Sequence, residues 1–435
     1  MAHKPTPVHD PSHRAVVRRH ELHRRGPGQY GMRPALFPRT AGVRAAVIAL
    51  LLVAAIAVAA AITGGNERSR AMAAADSLDT PAELGRALFF DPRLSKNRSQ
   101  SCVSCHSPNM AFTDPRVMEG VGSAVSLGDN GKSLGDRNAP SAAYASLVPE
   151  FHIDASGKPV GGLFLDGRAK TLEEQAGGPP LNPIEMGMLD KASVVARLKE
   201  KPEYVTAFDA LFGGNVLDDG EKGYAAMEKA IAAFERTSEF SPFDSKYDRY
   251  LRGQAKLTDQ EELGRVLFFS DKFASCSQCH KLNSFGGSEK EPFTNYQYHN
   301  IGVPINRAVR TANGSEAGRI DHGLLANPVV TDKAFDGKFK VPTLRNVAVN
   351  GPYMHNGAFN DLRTVVLFYD KYNNKDPRRQ INPETKAPWD TPEVPENISL
   401  KELKSRKALD DKRVDAIVAF LKTLTDKRYE PLLNN

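Results

Sequence analysis

The chain has 435 residues, 40 % hydrophobic and 25 % charged, with a formal net charge of +6. This is an ordinary globular composition with room for two domains or slightly more. Residues 1–44 hold nine Lys/Arg (Lys4, Arg14, Arg18, Arg19, Arg24, Arg25, Arg33, Arg39, Arg44) against Asp10 and Glu21. That local +7 leaves −1 for everything else, so nothing supports a nucleic-acid partner.

Residues 1–44, rich in His, Arg and Pro, read as a disordered cytoplasmic tail. Ala45 to Ile62 is an uncharged apolar run of eighteen residues, close to the shortest bilayer span. The arginine excess before it keeps the amino end in the cytoplasm. The alternative is a cleaved signal peptide cut near Ala57-Val58-Ala59, but so long a leader favours an uncleaved anchor. Either way the rest of the chain is exported, which predicts a periplasmic protein, held to the inner membrane in the anchored case.

The first soluble element is Glu83-Leu84-Gly85-Arg86-Ala87-Leu88-Phe89-Phe90. Its apolar residues have helical spacing, Thr80 is its N-cap before Pro81, and Asp91-Pro92 ends it. Cys102-Val103-Ser104-Cys105-His106 follows. Two cysteines three apart and an immediate histidine form the attachment motif of a c-type haem: each thiol adds to one vinyl, and the imidazole becomes the proximal iron ligand. Cys276-Ser277-Gln278-Cys279-His280 is a second copy. The two motifs use all four cysteines, so none remains to complete a zinc shell. A chain this long needs no disulfide framework.

The motifs sit in a repeat. The segment before the first motif, starting at Glu83, returns before the second as Glu262-Leu263-Gly264-Arg265-Val266-Leu267-Phe268-Phe269. Ala230-Ile231-Ala232-Ala233-Phe234-Glu235-Arg236-Thr237 is matched in the same way by Ala416-Ile417-Val418-Ala419-Phe420-Leu421-Lys422-Thr423. Each unit therefore reads as helix, CxxCH, loop-rich middle and closing helix. The expected fold is mainly α, with two tandem cytochrome c-like domains at 77–245 and 246–435, each holding one covalent haem. Ser241 to about Gly253 reads as the linker. A third match sets Gly167 and Leu172 against Gly357 and Leu362 in one register. The same register sets Pro179 against Tyr369: proline cannot ligate iron, whereas tyrosinate can.

FFDPRLS at 89–95, RNAPS at 137–141, DGRAKTLEEQAGGP at 166–179, NPIEM at 182–186, VPTLRN at 341–346 and PYMHNG at 352–357 join the two CxxCH motifs. With these the chain resembles the bacterial dihaem cytochrome c peroxidase family, MauG included, over roughly residues 77–430. The resemblance implies that His106 carries an open, peroxidatic haem, with Glu185 as acid–base carboxylate and Gln175 as the distal glutamine in a pocket shared with Pro179. His280 then carries the electron-transfer haem. Its sixth ligand in classical members is a methionine fourteen residues beyond the PYxH histidine; that position here is Tyr369, and MauG also has tyrosine there. Met354 is the alternative donor, while His355 and His299 are expected to hydrogen-bond. An interdomain calcium is implied, at Asn138, Asn350 (threonine in relatives) and Pro352.

Two departures matter. No histidine lies between His106 and Arg137, where classical peroxidases carry one that caps the iron until the other haem is reduced. An enzyme without reductive activation is therefore expected; Met118 is a poor substitute. Relatives also place an aromatic pair before DGRA, whereas this chain has Phe164-Leu165 and its only tryptophan is Trp389. Charge would cross directly or through Tyr144 or Phe164. The leading expectation is reduction of hydrogen peroxide to water with electrons from a small periplasmic cytochrome c or cupredoxin. The alternatives are a MauG-like oxidase that modifies a protein side chain through a high-valent dihaem state, and a dihaem electron carrier. Homodimers occur among relatives.

Overall fold

In the computed structural model, residues 77–282, 288–316 and 318–434 are described. The tail and the apolar run at 45–62 lie outside them; among the described residues no helix is long and apolar enough to cross a membrane. The helices are α1 Pro81–Phe89, α2 Cys102–Cys105, α3 Leu172–Ala176, α4 Gly178–Leu181, α5 Lys191–Leu198, α6 Pro202–Phe212, α7 Gly220–Glu235, α8 Lys246–Leu251, α9 Asp259–Phe269, α10 Arg307–Ala312, α11 Leu362–Asp370, α12 Leu400–Leu403 and α13 Asp411–Lys422. Apart from single bridges, described strand is limited to two antiparallel ribbons: β1 His152–Ile153 with β2 Pro159–Val160, and β3 Tyr298–His299 with β4 Phe339–Lys340. The molecule is mainly helical, as the periodicity predicts.

Both helices that precede a CxxCH motif start with the same device. Thr80 and Glu83 exchange side-chain-to-backbone hydrogen bonds (3.2 and 2.9 Å), and Thr258 and Glu261 do likewise (3.3 and 2.7 Å). Each pair satisfies two backbone donors that a helix start leaves open. Asp91 then caps the short turn at Pro92–Leu94 through its bond from the Arg93 amide.

The repeat is physical. Helix α1 crosses α7 at Gly85, where a Cβ would lie 1.8 Å from the Ala230 carbonyl oxygen. Helix α9 crosses α13 at Gly264, where a Cβ would lie 1.9 Å from the Ala416 oxygen. Only glycine permits so close a crossing. Matched phenylalanines pack beside it: Phe89 against Phe234 at 5.5 Å and Phe268 against Phe420 at 5.2 Å. Two apolar cores result, one from Leu84 to Phe240 and one from Tyr247 to Leu424.

The segment expected as a linker differs in detail from that expectation. It contains α8, because Ser245 caps it and Asp248 is drawn into a buried pair with Arg345 at 2.6 Å. The Arg345 guanidinium also stacks over Phe243 and Tyr144 at 4.7 and 5.1 Å. Tyr144 and Asn346 share the Asp426 carboxylate at 2.5 and 2.8 Å. These contacts knit the segments that carry the two motifs.

Candidate active site

Helix α2 is one turn long and presents Cys102, Cys105 and then His106 to a cavity. The imidazole Nδ1 is 3.2 Å from the Phe112 carbonyl oxygen, so it donates there and leaves Nε2 for a metal. The second motif repeats this: His280 Nδ1 is 3.2 Å from the Phe293 oxygen. Phe112 and Phe293 both adopt positive φ, 57° and 55°, a conformation that costs a non-glycine residue about 1–3 kcal/mol. Its recurrence at matched places marks a constraint on the histidines. Burial lowers both imidazole pKa values, to about 4 for His280, which favours the neutral, ligating form.

Both motifs line one continuous cavity of about 530 Å³, within the range of cofactor sites. All four cysteines are unpaired, and burial pushes Cys105 and Cys279 up to about 11. Four thiols and two oriented imidazoles around one large, mostly apolar space fit two thioether-bound haems.

The cavity also collects Gln175, Pro179 and Glu185. Thr171 caps α3, which carries Gln175; Pro179 lies in α4. Glu185 is held by its backbone: its amide donates to the Asn182 carbonyl (3.0 Å), and its own carbonyl accepts from the Asp129 amide (2.7 Å). Asn182 Nδ2 donates to Glu185 Oε1 at 2.9 Å. Burial raises the Glu185 pKa, partly offset by Arg168 and Asn182. This carboxyl lies close enough to Cys105 to raise that thiol, so it belongs to the first motif's side.

On the other side, Tyr369 projects from α11 into the cavity, with the Arg406 guanidinium 5.8 Å from its ring. Burial and then Cys279 raise its pKa, and Arg406 lowers it. The thiol contribution disappears once sulfur becomes a thioether. Met354 lines the same space, as do Tyr144, Phe164 and Leu165. His299 Nδ1 lies 3.1 Å from Ser399 Oγ, with Nε2 buried and unpartnered. His355 stacks on Phe339 at 3.8 Å, and its Nε2 is 3.9 Å from Glu393, too long for a hydrogen bond. Met118 and Trp389 stand apart: Met118 packs with Val121 and Val309, Trp389 with Phe359 and Phe368.

Asn138, Asn350 and Pro352 line the cavity together. Asn138 Nδ2 donates to the Ser123 and Ala124 carbonyls at 3.3 and 3.1 Å, and Asn350 Oδ1 is buried without a partner. One orphaned side-chain oxygen of this kind suits a hard cation, although the donor expected at Asn350 is its backbone carbonyl. No cluster of three His, Cys, Asp or Glu able to hold a metal occurs among the described residues; the expected ligand set needs none.

Sequence reading assigned no role to Arg168, Lys340, Arg406 or Glu235, all of which line the cavity. Arg168 stacks on Phe164 at 3.8 Å. Lys340 is half-buried, its amide donates to the Leu165 carbonyl at 2.9 Å and its ammonium to the Gly162 carbonyl; withdrawal of that ammonium from water brings its pKa down to about 7. Arg168 stands inside the DGRA motif and Lys340 directly before VPTLRN, so position beside a motif is the sequence signal for both.

A family model described as di-haem cytochrome c peroxidase matches residues 79–256. The chain is 58 % identical over 355 residues to the methylamine utilization protein MauG of Paracoccus denitrificans, covering 82 % of this chain and 91 % of that one. It is 36 % identical to cytochrome c551 peroxidase of Nitrosomonas europaea, covering 66 % of this chain and 71 % of that one. Among solved structures, the diheme peroxidase BthA of Burkholderia thailandensis matches with a TM-score of 0.69 at 33 % identity, covering 80 % of this chain and 87 % of that one.

Proposed function

The chain belongs to the dihaem cytochrome c peroxidase and MauG family of oxidoreductases, and from that premise we propose that it is a peroxide-dependent dihaem oxidase acting on a protein side chain. The observation that carries this reading is the asymmetry of the cavity that both motifs share. Glu185 lies on the Cys105 side and Tyr369 on the Cys279 side, and Gln175 and Pro179 line the same cavity.

Cys102, Cys105 and His106 would hold one haem, and Cys276, Cys279 and His280 the other, with Tyr369 or Met354 as further donor to the second iron. Haem supplies the redox centre that accepts peroxide and exchanges electrons. Glu185 would take a proton from one oxygen of hydrogen peroxide and return it to the other, the haem supplying the two electrons that let that oxygen leave as water. Its raised pKa suits it to both halves of that transfer. Gln175 orients the peroxide, and Pro179 keeps the face free of a protein ligand. Asn138, Asn350 and Pro352 would hold a calcium ion between the units. Residues 77–245 and 246–435 form the two haem domains in this reading, and the 45–62 run holds the enzyme to the inner membrane, facing the periplasm.

The similarity to MauG and the tyrosine at position 369 support the protein-oxidising reading. A second reading, peroxide reduction with a small cytochrome c or cupredoxin, is favoured by Leu165, which offers no aromatic station between the haems. The deciding experiment adds peroxide to the oxidised holoenzyme, then either a reduced small donor or a protein rich in oxidisable aromatic side chains. Slow turnover with small donors, together with covalent oxidation of the protein seen by mass spectrometry, is expected. Rapid sustained turnover with a small donor and no protein oxidation would replace the first reading by the second.

A further inference from the structure

The closing helices α7 and α13 each send two side chains, one turn apart, into the cavity: Ile231 and Glu235 from the first, Ile417 and Leu421 from the second. The repeat sets isoleucine against isoleucine but Glu235 against Leu421. One unit therefore has an acid where its counterpart has an apolar side chain. Glu235 is 5 % exposed, and its Oε2 is buried without a hydrogen-bond partner. Leaving a charge so placed is costly, whereas a neutral carboxyl is tolerated.

The charged neighbours offset its burial only in part. Arg236, next on its own chain, is ion-paired with Glu173 of α3 at 2.6 Å. Arg86 of α1 lies 3.9 Å from Glu239, and Lys191 of α5 binds Glu221 at the far end of α7. From α2 the group facing it is Cys102, whose thiol it raises. Burial accordingly pushes Glu235 up to about 8.

We propose that Glu235 is a charge-compensating proton carrier for the first haem. As one electron leaves the iron for a one-electron acceptor, the carboxyl O–H bond breaks and the proton passes to water, leaving a carboxylate beside the more positive centre. Reduction reverses both transfers, so the charge of the buried site stays constant. The inference rests on haem attachment at Cys102 and Cys105, which an optical spectrum checks separately, and not on the choice of oxidised substrate.

The test is a spectroelectrochemical titration of the holoenzyme, without peroxide, across neutral pH, for wild type, Glu235→Gln and Glu235→Leu. For wild type the oxidised-to-reduced ratio of the first haem at fixed potential rises about tenfold per pH unit, or about 59 mV for one electron. Both variants lose more than half of that slope, and the second haem's profile does not change. A flat wild-type profile, or a Glu235→Gln slope above half of it, overturns the proposal. Should neither variant retain haem, redox-difference infrared spectroscopy of wild type labelled with 13C-glutamate must show a protonated carboxyl band lost on oxidation. Absence of that band also overturns it.

Discussion

Glu185 is half-buried on a backbone anchored at both its amide and its carbonyl, with Asn182 Nδ2 on one carboxylate oxygen. A side chain so fixed can receive a proton and return it without changing place. Replacing it with glutamine keeps the Asn182 contact available but removes the exchangeable acid, so peroxide turnover should fall about 10²–10⁴-fold; the haem absorption spectrum should not change. Undiminished turnover would remove Glu185 from the mechanism. The direction of its pKa gives a second expectation. Proton abstraction needs the carboxylate, and burial raises the pKa, so activity is lost as pH falls through a value above the ordinary carboxylate range. A stopped-flow pH profile should show that acid limb in wild type and not in Glu185→Gln. Glutamate chemistry was legible here only through the NPIEM motif; nothing in residue spacing distinguishes Glu185 from a surface acid.

Helix pairs were the most legible part of the molecule, because a glycine at a crossing and phenylalanines beside it recur at matched places in both units. Gly85 and Gly264 carry the tightest demand: the added methyl would meet a carbonyl oxygen that helix α7 or α13 cannot move alone. Gly85→Ala and Gly264→Ala should each destabilise the holoprotein by about 1–3 kcal/mol or more through overpacking. Val266→Ala on the half-exposed face of α9 should change stability by no more than about 0.5 kcal/mol, as surface substitutions do. Urea melts followed by far-ultraviolet circular dichroism compare the three, and equal midpoints would show that the crossings relax. What the sequence hid at this scale is long-range pairing. Asp248 lies in a stretch that reads as linker, and only the fold brings it to Arg345, 97 residues away. Glu235 was visible as the odd member of a repeated helix, yet its burial was not, since one acid in an amphipathic helix ordinarily faces water.

Across the whole molecule, Tyr144 and Phe243 of the first half stack on Arg345 of the second, whose buried charge is balanced within its own half by Asp248. Arg345 is 1 % exposed and Asp248 2 %, so Asp248→Ala leaves an uncompensated guanidinium and should cost about 3–5 kcal/mol, read as a lower thermal midpoint; Asp248→Asn should recover part of it. The last expectation concerns how the two motifs cooperate. In classical relatives, a histidine after the first motif closes the peroxidatic iron until an electron arrives at the other haem. Here residues 107–136 contain no histidine. The thioether in that stretch, Met118, is held by paired backbone bonds with Gly122 and packs against Val121, away from the cavity. Pro179, at the position corresponding to Tyr369, has no donor atom to offer iron. On the proposed reading, neither Met118 nor Pro179 closes the first site, and electron arrival at the second has no such ligand to displace. The fully oxidised enzyme should show a high-spin ferric signal by electron paramagnetic resonance and react with peroxide at once. Pre-reduction should leave that rate unchanged. A low-spin-only spectrum, or a lag abolished by pre-reduction, would mean that a ligand reaches His106's iron from elsewhere in the chain.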